Sequence, residues 1–300
     1  MADTARATRA SGLRRDAILE AVAFAAETLL LAPDWSDAAA GVLSRIGAAA
    51  DVSRAYIIQN EVDRDGVDVC IKRAEWVAEG IVSQADNPIL GGLPWKDFGF
   101  ARWPDVMRAG DLMHTLVEDL PATERDVLAS QDIVSLACFP VIVNSGWWGL
   151  IGFDDCVSPR RWSGAELDAL RASASVLGAA IARQRQDERL RDTEQRYRTV
   201  VERIPAVTYI DQRDLDGVMR VKFISPQVED TLGYAPEDFL ADPEFWYEIV
   251  HPDDLARVNE AATYSGAAVE PFDETYRMIH RSGGIVWIHD TTIPVVSPSG

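Results

Sequence analysis

One long helical stretch, residues 164–204, most constrains how this chain can fold. It begins at the capping box SGAE, residues 163–166, in which the serine and the glutamate satisfy backbone N–H groups of the first turn. Apolar side chains then recur at coiled-coil spacing: Leu167, Leu170, Ala174, Leu177 and Ile181. The continuation, ARQRQDERLRDTEQRYRTVVERI, is mostly polar and cannot bury a face by itself. We therefore predict a helix that connects two mixed segments.

The same helix predicts self-association. Apolar residues return late in the helix, at Leu190, Tyr197, Val201 and Ile204, out of heptad phase with the first block. A parallel homodimer through residues 164–204 would bury them. The alternative is a solvent-exposed linker in a monomer.

The segment before the helix alternates helices with β-hairpins. We expect residues 1–12 to be disordered and helices over residues 13–31 and WSDAAAGVLSRIGAAADV. Strands AYIIQNEV and VDVCIKRAEWV flank the turn DRDG, and strands SLACFPVIV and WWGLIGF flank the turn NSG. An irregular region, residues 78–99, and a helical stretch near TERDVLASQ lie between the two hairpins.

The segment from residue 205 to residue 300 has the order strand, strand, short helices, helix, strand, strand. Its stretch EFWYEIVHPDD could be a metal site, an acid–base pair or the start of a helix. Pro252 suits the first helical position, and Asp253 and Asp254 complement the positive end of the helix dipole. A metal would need further ligands, which the local spacing does not supply. We predict a helix start, with His251 as its cap or the residue before the cap.

Charge and cysteine content restrict the environment and the partners. The formal net charge of −19 disfavours nucleic acid and anionic membrane surfaces, which both require a basic face. No run of about 18 apolar residues is present, so no membrane span is expected. Cys70, Cys138 and Cys156 lack the spacing of zinc or thioredoxin motifs. Free thiols of this kind favour a cytoplasmic location.

The second segment resembles a PAS sensor domain. YRTVVERIPAVTYID, FISPQVEDTLGYAPEDF, EFWYEIVHPDDLARV and YRMIHRSGGIVWI are similar to its successive blocks. In the PAS fold the last strand lies beside the first. The chain stops at SPSG, so we expect the PAS-like domain, residues 205–300, to lack that strand and the natural chain to continue.

The first segment, residues 13–185, resembles a GAF domain. The most telling stretch is WWGLIGFDD, followed by RRWSGAELDALRASASVLGAAIARQ. Both families are antiparallel sheets with packed helices, and they often enclose a small-molecule pocket. The resemblance therefore implies an α+β fold class, with two antiparallel-sheet sensor domains joined by the helix at 164–204.

The resemblance implies a sensory input region that binds a small ligand or senses redox state. It would signal through paired helices to an output domain, by family habit one that makes or hydrolyses cyclic-di-GMP. A histidine kinase, nucleotide cyclase or phosphatase is the alternative output. A ligand-free docking or dimerisation module is the alternative function, with packed cores instead of a cavity of a few hundred Å³. No catalytic motif is found, so no enzymatic activity is expected within residues 1–300.

The ligand stays unknown at this point. No cysteine follows Cys156, which excludes the covalent flavin adduct of light-sensing PAS relatives in the second domain. A covalent bilin is not expected, because no cysteine forms the Cys-His pair typical of phytochrome-like domains. Heme is disfavoured because His114 stands alone and His280 and His289 flank a turn. The Asn-Lys-Phe-Asp-Glu signature of cyclic-GMP-binding relatives is absent.

Aromatic side chains are the candidate ligand contacts, although such residues are more often plain core. In the GAF-like domain they are Trp76, Trp95, Phe100, Trp103, Phe139 and Trp148. In the PAS-like domain they are Tyr209, Phe223, Trp246, Tyr276 and Trp287.

Overall fold

The computed structural model describes residues 2–87, 90–214, 217–268 and 270–295. The chain divides into two compact units, Met1–Arg189 and Leu190–Gly300. Each unit combines helices with antiparallel strands, and a long helix, α5 (Gly164–Arg203), runs through the boundary between them. The predicted α+β class with two antiparallel-sheet domains and a connecting helix is confirmed.

The first unit is built on a six-stranded antiparallel sheet with strand order β3-β2-β1-β6-β5-β4. The two predicted hairpins supply the four central strands. The six strands are β1 (Arg54–Val62), β2 (Asp68–Val77), β3 (Gly91–Pro94), β4 (Met113–Leu116), β5 (Ser135–Val143) and β6 (Gly146–Asp155). Because successive side chains on a strand point to opposite faces, this sheet serves two separate cores.

Three helices cover one face of this sheet: α1 (Ala2–Leu31), α2 (Trp35–Ala50) and the first half of α5. Helix α5 lies very close to the sheet at Gly178, where an added Cβ would be 2.5 Å from the carbonyl oxygen of Ile142. Trp148 belongs to this core and packs edge-on against Trp35. Its neighbour Trp147 faces the other side, as the alternation of a strand predicts.

Short elements and loops cover the opposite face. They include a 3₁₀ turn (Trp95–Phe98), helix α3 (Trp103–Arg108), a second 3₁₀ turn (Val117–Asp119) and helix α4 (Ala122–Ala129). The core under them is rich in aromatic and sulfur-containing side chains. Part of the predicted irregular region, residues 78–99, therefore has regular structure, namely β3 and the first 3₁₀ turn.

The start of α5 is held by a buried carboxylate. Glu166 accepts from the backbone N–H of Ser163 at 2.9 Å, and Ser163 Oγ accepts from the N–H of Glu166 at 3.3 Å, which confirms the capping box. Glu166 also pairs with Arg14 of α1 at 3.1 Å and with Arg160 at 3.0 Å. The serine N–H and hydroxyl and both guanidinium groups hold the pKa of Glu166 below its usual range, against the effect of its burial.

The sequence predicts disorder over residues 1–12, whereas the structure has residues 2–12 within α1. The stretch ADTARATRAS carries repeated alanine and arginine, which are strong helix formers, and no proline. Gly12 does not interrupt the helix.

The second unit holds four strands in two separate antiparallel pairs within the described residues. Strand β7 (Tyr209–Arg213) pairs with β8 (Met219–Ile224), and β9 (Phe272–Ile279) pairs with β10 (Ile285–Thr292). Helices α6 (Gln227–Leu232), α7 (Pro236–Ala241), α8 (Phe245–Glu248) and α9 (Pro252–Ala268) lie between the two pairs along the chain. The expectation of a missing last strand concerns the chain end, where residues 296–300 lie outside the described ranges.

Helix α9 begins at Pro252, as its sequence predicts. The Nδ1 atom of His251 accepts a hydrogen bond of 3.2 Å from the backbone N–H of Asp253, so His251 acts as the cap. Asp254 forms two bonds of 2.9 Å with the side chain of Arg277 on β9. These contacts lower the pKa of Asp254. The HPDD stretch is therefore the start of a helix, and its charged partner is an arginine.

Candidate functional site

A small cavity of about 50 Å³ lies in the first unit, on the sheet face that is covered by loops. Polar groups line one part of it and aromatic rings line another. The polar side chains are Arg54, Tyr56, Lys72, Glu75, Gln84, Gln131 and Asp154. This volume is smaller than the few hundred Å³ that the sensor interpretation predicted. It is enough for a few water molecules or a ligand of similar size.

Arg54 is the largest charged group at the cavity and is 2% exposed. Its Nε donates to the carbonyl oxygen of Val82 at 3.1 Å, and its Nη1 donates to that of Gln131 at 2.9 Å. Both partners are neutral backbone groups in loops. Within the described part of the chain, no acceptor bonds to its other terminal nitrogen, Nη2, and no carboxylate lies within ion-pair distance.

Lys72 lies on the neighbouring strand and is also largely buried. Its Nζ contacts Glu75 Oε1 at 2.9 Å and the carbonyl oxygen of Gln84 at 2.6 Å. The other oxygen of Glu75 accepts from Ser83 Oγ at 2.5 Å and from the N–H of Gln84 at 2.9 Å. Desolvation lowers the pKa of Lys72, and Glu75 opposes that shift. The segment 82–84 is thus bonded directly to the charged groups of the cavity.

Asp154 lies opposite Arg54 in the register of β1 and β6, so the two side chains share a face of the sheet. Its Oδ1 accepts from Tyr56 Oη at 3.1 Å, and Tyr56 Oη is 3.5 Å from Cys138 Sγ. Burial raises the pKa of Asp154 to about 7, while Arg54, Tyr56 and Lys72 pull it down and Glu75 pushes it up. Asp154 can therefore hold a proton near neutral pH.

Gly152 makes room for this arrangement. It faces the ring of Tyr56 across the sheet, and an added Cβ would overlap that ring. A side chain at position 152 would therefore displace the Tyr56 hydroxyl from Asp154 and Cys138.

An aromatic cluster forms the apolar part of the cavity wall. Trp95 stacks on Trp103 with ring centroids 6.4 Å apart, and Phe100 packs against Phe98 at 5.3 Å. The indole N–H groups of the two tryptophans donate hydrogen bonds to side chains outside the cavity. Trp95 Nε1 donates to Asn60, and Trp103 Nε1 donates to Glu124. The rings therefore present carbon surface to the cavity.

The structure brings three of the six predicted GAF-like contacts to this cavity: Trp95, Phe100 and Trp103. The other three do not line it and belong to the core on the helix-covered face. Phe139 packs against Phe153, Trp148 packs against Trp35, and Trp76 lies over Gly47 of α2. Strand alternation places them there, since Phe139 is next to Cys138 and each faces the opposite way.

Two of the predicted PAS-like contacts bind one buried carboxylate. Tyr209 Oη donates to Asp290 Oδ1 at 2.7 Å, and Tyr276 Oη donates to Asp290 Oδ2 at 2.6 Å. Trp246 packs edge-on against Tyr276 with centroids 5.6 Å apart. Burial and the nearby Asp290 raise the pKa of both tyrosines, which stay protonated donors.

The other two PAS-like candidates lie outside this cluster. Phe223 contacts Tyr197 of α5 with ring centroids 6.3 Å apart. Trp287 is 65% exposed and lies beside the guanidinium of Arg277. A ligand contact by any of these PAS-like residues stays a prediction.

The cysteines are protected from ionisation. Burial raises the pKa of Cys70 to about 12 and that of Cys156 to about 11, and it raises the pKa of Cys138 further. Nucleophilic attachment of a ligand requires a thiolate. No group of three or more His, Cys, Asp or Glu side chains suited to a metal ion occurs among the residues that the structure describes.

Sequence reasoning missed the charged half of the cavity: Arg54, Lys72, Glu75 and Asp154. A signal was present, because Arg54 and Tyr56 alternate with Ala55 and Ile57 at the start of a buried strand. Charged residues inside otherwise apolar strands are rarely buried without a partner or a function.

Comparisons with known proteins agree with this architecture. The family model of the GAF domain matches residues 34–181, and that of the PAS fold matches residues 221–300. The chain therefore contains a GAF domain followed by a PAS domain, as the sequence blocks predicted. GAF and PAS domains are sensory domains, so the chain has the domain content of a sensory input region.

Two curated relatives are a regulatory histidine kinase and a sensor. The chain is 37% identical over 173 residues to "Methanogenesis regulatory histidine kinase FilI" of Methanothrix harundinacea, covering 58% of this chain and 19% of that protein. It is 32% identical over 74 residues to "Methyl sulfide methyltransferase-associated sensor" of Methanosarcina acetivorans, covering 24% of this chain and 7% of that protein. The chain thus spans a fifth or less of the length of these two relatives.

Solved structures similar to this chain include bilin-binding domains. One is the phycocyanobilin-bound GAF domain of a cyanobacterial phytochrome, with 18% identity, coverage of 58% of this chain and 96% of that chain, and a TM-score of 0.46. Another is the chromophore-binding domain of a bacteriophytochrome from R. palustris, with 18% identity, coverage of 56% and 61%, and a TM-score of 0.47. The bound pigments are properties of those proteins.

None of the helices in the described ranges combines the length and apolar character that a membrane crossing requires. The polar second half of α5 is the clearest case, since charged side chains recur throughout it.

Proposed function

We propose that this chain is a sensory input region whose GAF domain binds a small molecule in the Arg54–Asp154 cavity. The observation that carries the proposal is the buried charge there. Arg54 and Asp154 share one face of the sheet, yet they form no ion pair, and each keeps a polar atom without a described partner. Burying charges in this way costs stability unless something pairs with them. A bound ligand would supply the missing partners.

Helix α5 is the proposed route of the signal. It packs on the back of the same sheet, and at Gly178 its backbone touches the backbone of β5. A closely packed contact of this kind transmits small displacements of the sheet instead of absorbing them. Ligand binding acts allosterically only if the ligand has different affinities for the two arrangements of α5.

The second half of α5 is the proposed dimer interface. Leu190, Tyr197 and Ile204 are spaced by seven residues and are 68%, 50% and 39% exposed. Val200 lies at the intervening heptad position and is 63% exposed. An exposed heptad stripe on a largely polar helix is the pattern of a parallel two-stranded coiled coil. It favours a homodimer over a monomeric linker.

The output is proposed from the relatives. Similarity to a regulatory histidine kinase favours a kinase as the regulated partner domain. Cyclic-di-GMP synthesis or hydrolysis, the first expectation from the sequence, is the alternative. The sequences of the GAF and PAS domains contain no catalytic motif. Both domains would therefore regulate the output domain, whether kinase or cyclic-di-GMP enzyme, from outside its active site. We also propose a cytoplasmic location, because the three cysteines form no disulfide with one another.

Native mass spectrometry tests the sensor proposal. The purified chain is compared with the same sample after denaturation, with an absorbance scan over the visible range. A stoichiometric mass that is lost on denaturation supports the proposal and identifies the ligand. A bare mass, together with no shift in thermal stability in a metabolite screen, would instead favour a docking module.

The dimer proposal has its own test, with a matched control. Val200→Glu places a charge in the exposed stripe, whereas Gln195→Glu places the same charge on the opposite side of the heptad. We expect light scattering to report a monomer for Val200→Glu and a dimer for Gln195→Glu. Equal masses for both variants would contradict pairing through α5.

A further inference from the structure

We propose that the ligand of the GAF cavity is a short-chain monocarboxylate, with its carboxylate between Arg54 and Asp154 and its alkyl chain against the aromatic wall. This inference rests on the proposed sensor function and names the chemistry of its ligand. Four features of the cavity carry it: unused donors, the balance of charge, the apolar wall and the volume.

The first feature is the donor arrangement. Two nitrogens of the Arg54 guanidinium, Nε and Nη1, donate to the carbonyl oxygens of Val82 and Gln131. The third, Nη2, has no acceptor among the described residues. The ammonium of Lys72 likewise bonds to the carbonyl oxygen of Gln84. Arginine pairs best with planar oxyanions, which accept two parallel hydrogen bonds. Neutral carbonyl oxygens therefore occupy places where a carboxylate would bind more strongly.

The second feature is the balance of charge. Lys72 is matched by Glu75 at 2.9 Å, whereas Arg54 has no carboxylate within ion-pair distance in the described part of the chain. Burial holds Asp154 partly protonated near neutral pH, since its pKa is about 7. A protonated Asp154 is a donor and leaves the charge of Arg54 uncompensated. The cavity therefore favours an anion over a cation.

The third feature is the apolar wall. Phe98, Phe100 and the rings of Trp95 and Trp103 face the cavity, while both indole N–H groups are bonded to side chains outside it. No donor or acceptor of these rings remains for a polar ligand end. Carbon surface of this kind favours the burial of an apolar part of a ligand. The ligand should therefore have one charged end and one apolar end.

The fourth feature is the volume. A cavity of about 50 Å³ holds roughly four water molecules, at 10–15 Å³ each. A carboxylate with a short alkyl chain is of this size, and a polycyclic pigment or a nucleotide is far larger. Gln84 lines the cavity, and the segment 82–84 bonds to both cations. A ligand carboxylate would compete with its carbonyl oxygens, so binding would also loosen this segment.

The test uses the full chain and three probes of similar shape: butyrate, butyramide and n-butylammonium. We expect calorimetry to show butyrate binding at least about tenfold more tightly than butyramide, and no binding of n-butylammonium. Equal or tighter binding of the amide or the amine would overturn the inference. So would the absence of binding by all three.

Two arginine variants locate the site. Arg54→Met should lower the affinity for butyrate at least about tenfold and leave butyramide unchanged. Arg73→Met is the matched control, because Arg73 pairs with Gln59 and Glu61 at a part of β2 outside the cavity. If Arg54→Met does not fold, Lys72→Met replaces it. An unchanged butyrate affinity in the folded variant would overturn the site.

The outcome separates this inference from the sensor proposal. If native mass spectrometry finds a co-purified ligand that is not a carboxylate, the sensor function stands and the carboxylate inference fails. If the chain carries no ligand and none of the probes or screened metabolites binds, both fail.

Discussion

Each unit of this chain buries an aspartate next to tyrosine hydroxyls, and the two sites differ in how completely the carboxylate is bonded. In the PAS unit, both oxygens of Asp290 accept a tyrosine hydroxyl, at 2.7 Å from Tyr209 and 2.6 Å from Tyr276. In the GAF unit, the side chain of Asp154 accepts one bond among the described residues, from Tyr56 at 3.1 Å, and Asp154 lines a cavity. The chemistry is similar, but one network is closed and the other is open.

A closed network and an open one have different uses. When every polar atom is satisfied, a buried network fixes one packing of the core. When donors and acceptors remain at a cavity, the protein pays a desolvation cost that a ligand can recover. We therefore interpret the Asp290 cluster as part of the core of the PAS unit and the Asp154 cluster as a binding site.

The largest expected effect is at the closed network. Asp290→Ala removes two charge-assisted hydrogen bonds and leaves the Tyr209 and Tyr276 hydroxyls buried without an acceptor. We expect it to destabilise the PAS unit by about 4 kcal/mol. Hydrogen exchange measured on peptides from residues 209–292 reports this, with peptides from β5 and β6 as the internal reference. Equal loss of protection in both units would mean that the network is not specific to the PAS core.

A compensating variant sharpens this result. Adding Tyr209→Phe and Tyr276→Phe to Asp290→Ala removes the stranded hydroxyls. Stability should then recover by about 1–2 kcal/mol relative to Asp290→Ala alone, because unsatisfied buried donors carry most of the cost.

The next effect concerns the open site and depends on pH. The pKa of Asp154 is about 7 in the folded state and about 3.9 in the unfolded chain. Between these values the folded state holds a proton that the unfolded state has lost, so stability decreases as pH rises, by at most about 1.4 kcal/mol per pH unit. Above about pH 7 both states are ionised and the decrease ends. Below about pH 4 both states are protonated.

Asp154→Asn removes this slope and keeps an acceptor for Tyr56. We expect its free energy of unfolding, relative to the natural chain, to rise by about 2 kcal/mol between pH 5 and pH 7 in urea titrations. Parallel pH profiles for Asp154→Asn and the natural chain would show that Asp154 is ionised throughout.

A pair of tyrosine variants compares the two networks directly. Tyr276→Phe removes one of the two donors of a fully bonded carboxylate and should cost about 2 kcal/mol. Tyr56→Phe removes the donor of Asp154 at a cavity, where water can take its place, and should cost about 1 kcal/mol or less. Thermal unfolding of the two single variants under identical conditions gives the comparison. A larger cost for Tyr56→Phe would reverse our interpretation of which network is closed.

How well the sequence predicted each region depends on how far apart in sequence the contacting residues of that region lie. Both GAF hairpins, the capping box of α5 and the HPDD start of α9 depend on neighbours in sequence, and the structure has them where the patterns predict. The placement of Arg54 opposite Asp154 depends on the register of two strands that lie far apart in sequence. No local pattern reports that register, so the charged half of the site was missed.

The aromatic predictions place residues at the cavity only in part, for a related reason. Trp95, Phe100 and Trp103 lie in or beside short elements that cover one face of the sheet, and they reach the cavity. Phe139 and Trp148 lie on strands, where the face is set by whether the position is odd or even relative to the first core residue. Composition identifies an aromatic residue as buried, but it does not say on which side of a two-faced sheet.

The smallest expected effect tests the helix starts of the two units. Ser163 and Glu166 cap α5 in the GAF unit with reciprocal bonds, whereas His251 caps α9 with one bond of 3.2 Å. Ser163→Ala should therefore cost about 1 kcal/mol, and His251→Ala about half as much, while His251→Asn restores a good cap. Chemical denaturation of the three variants measures these differences. If His251→Ala cost more than Ser163→Ala and His251→Asn did not restore the loss, His251 would have a role beyond capping, and the interpretation of HPDD as the start of a helix would need revision.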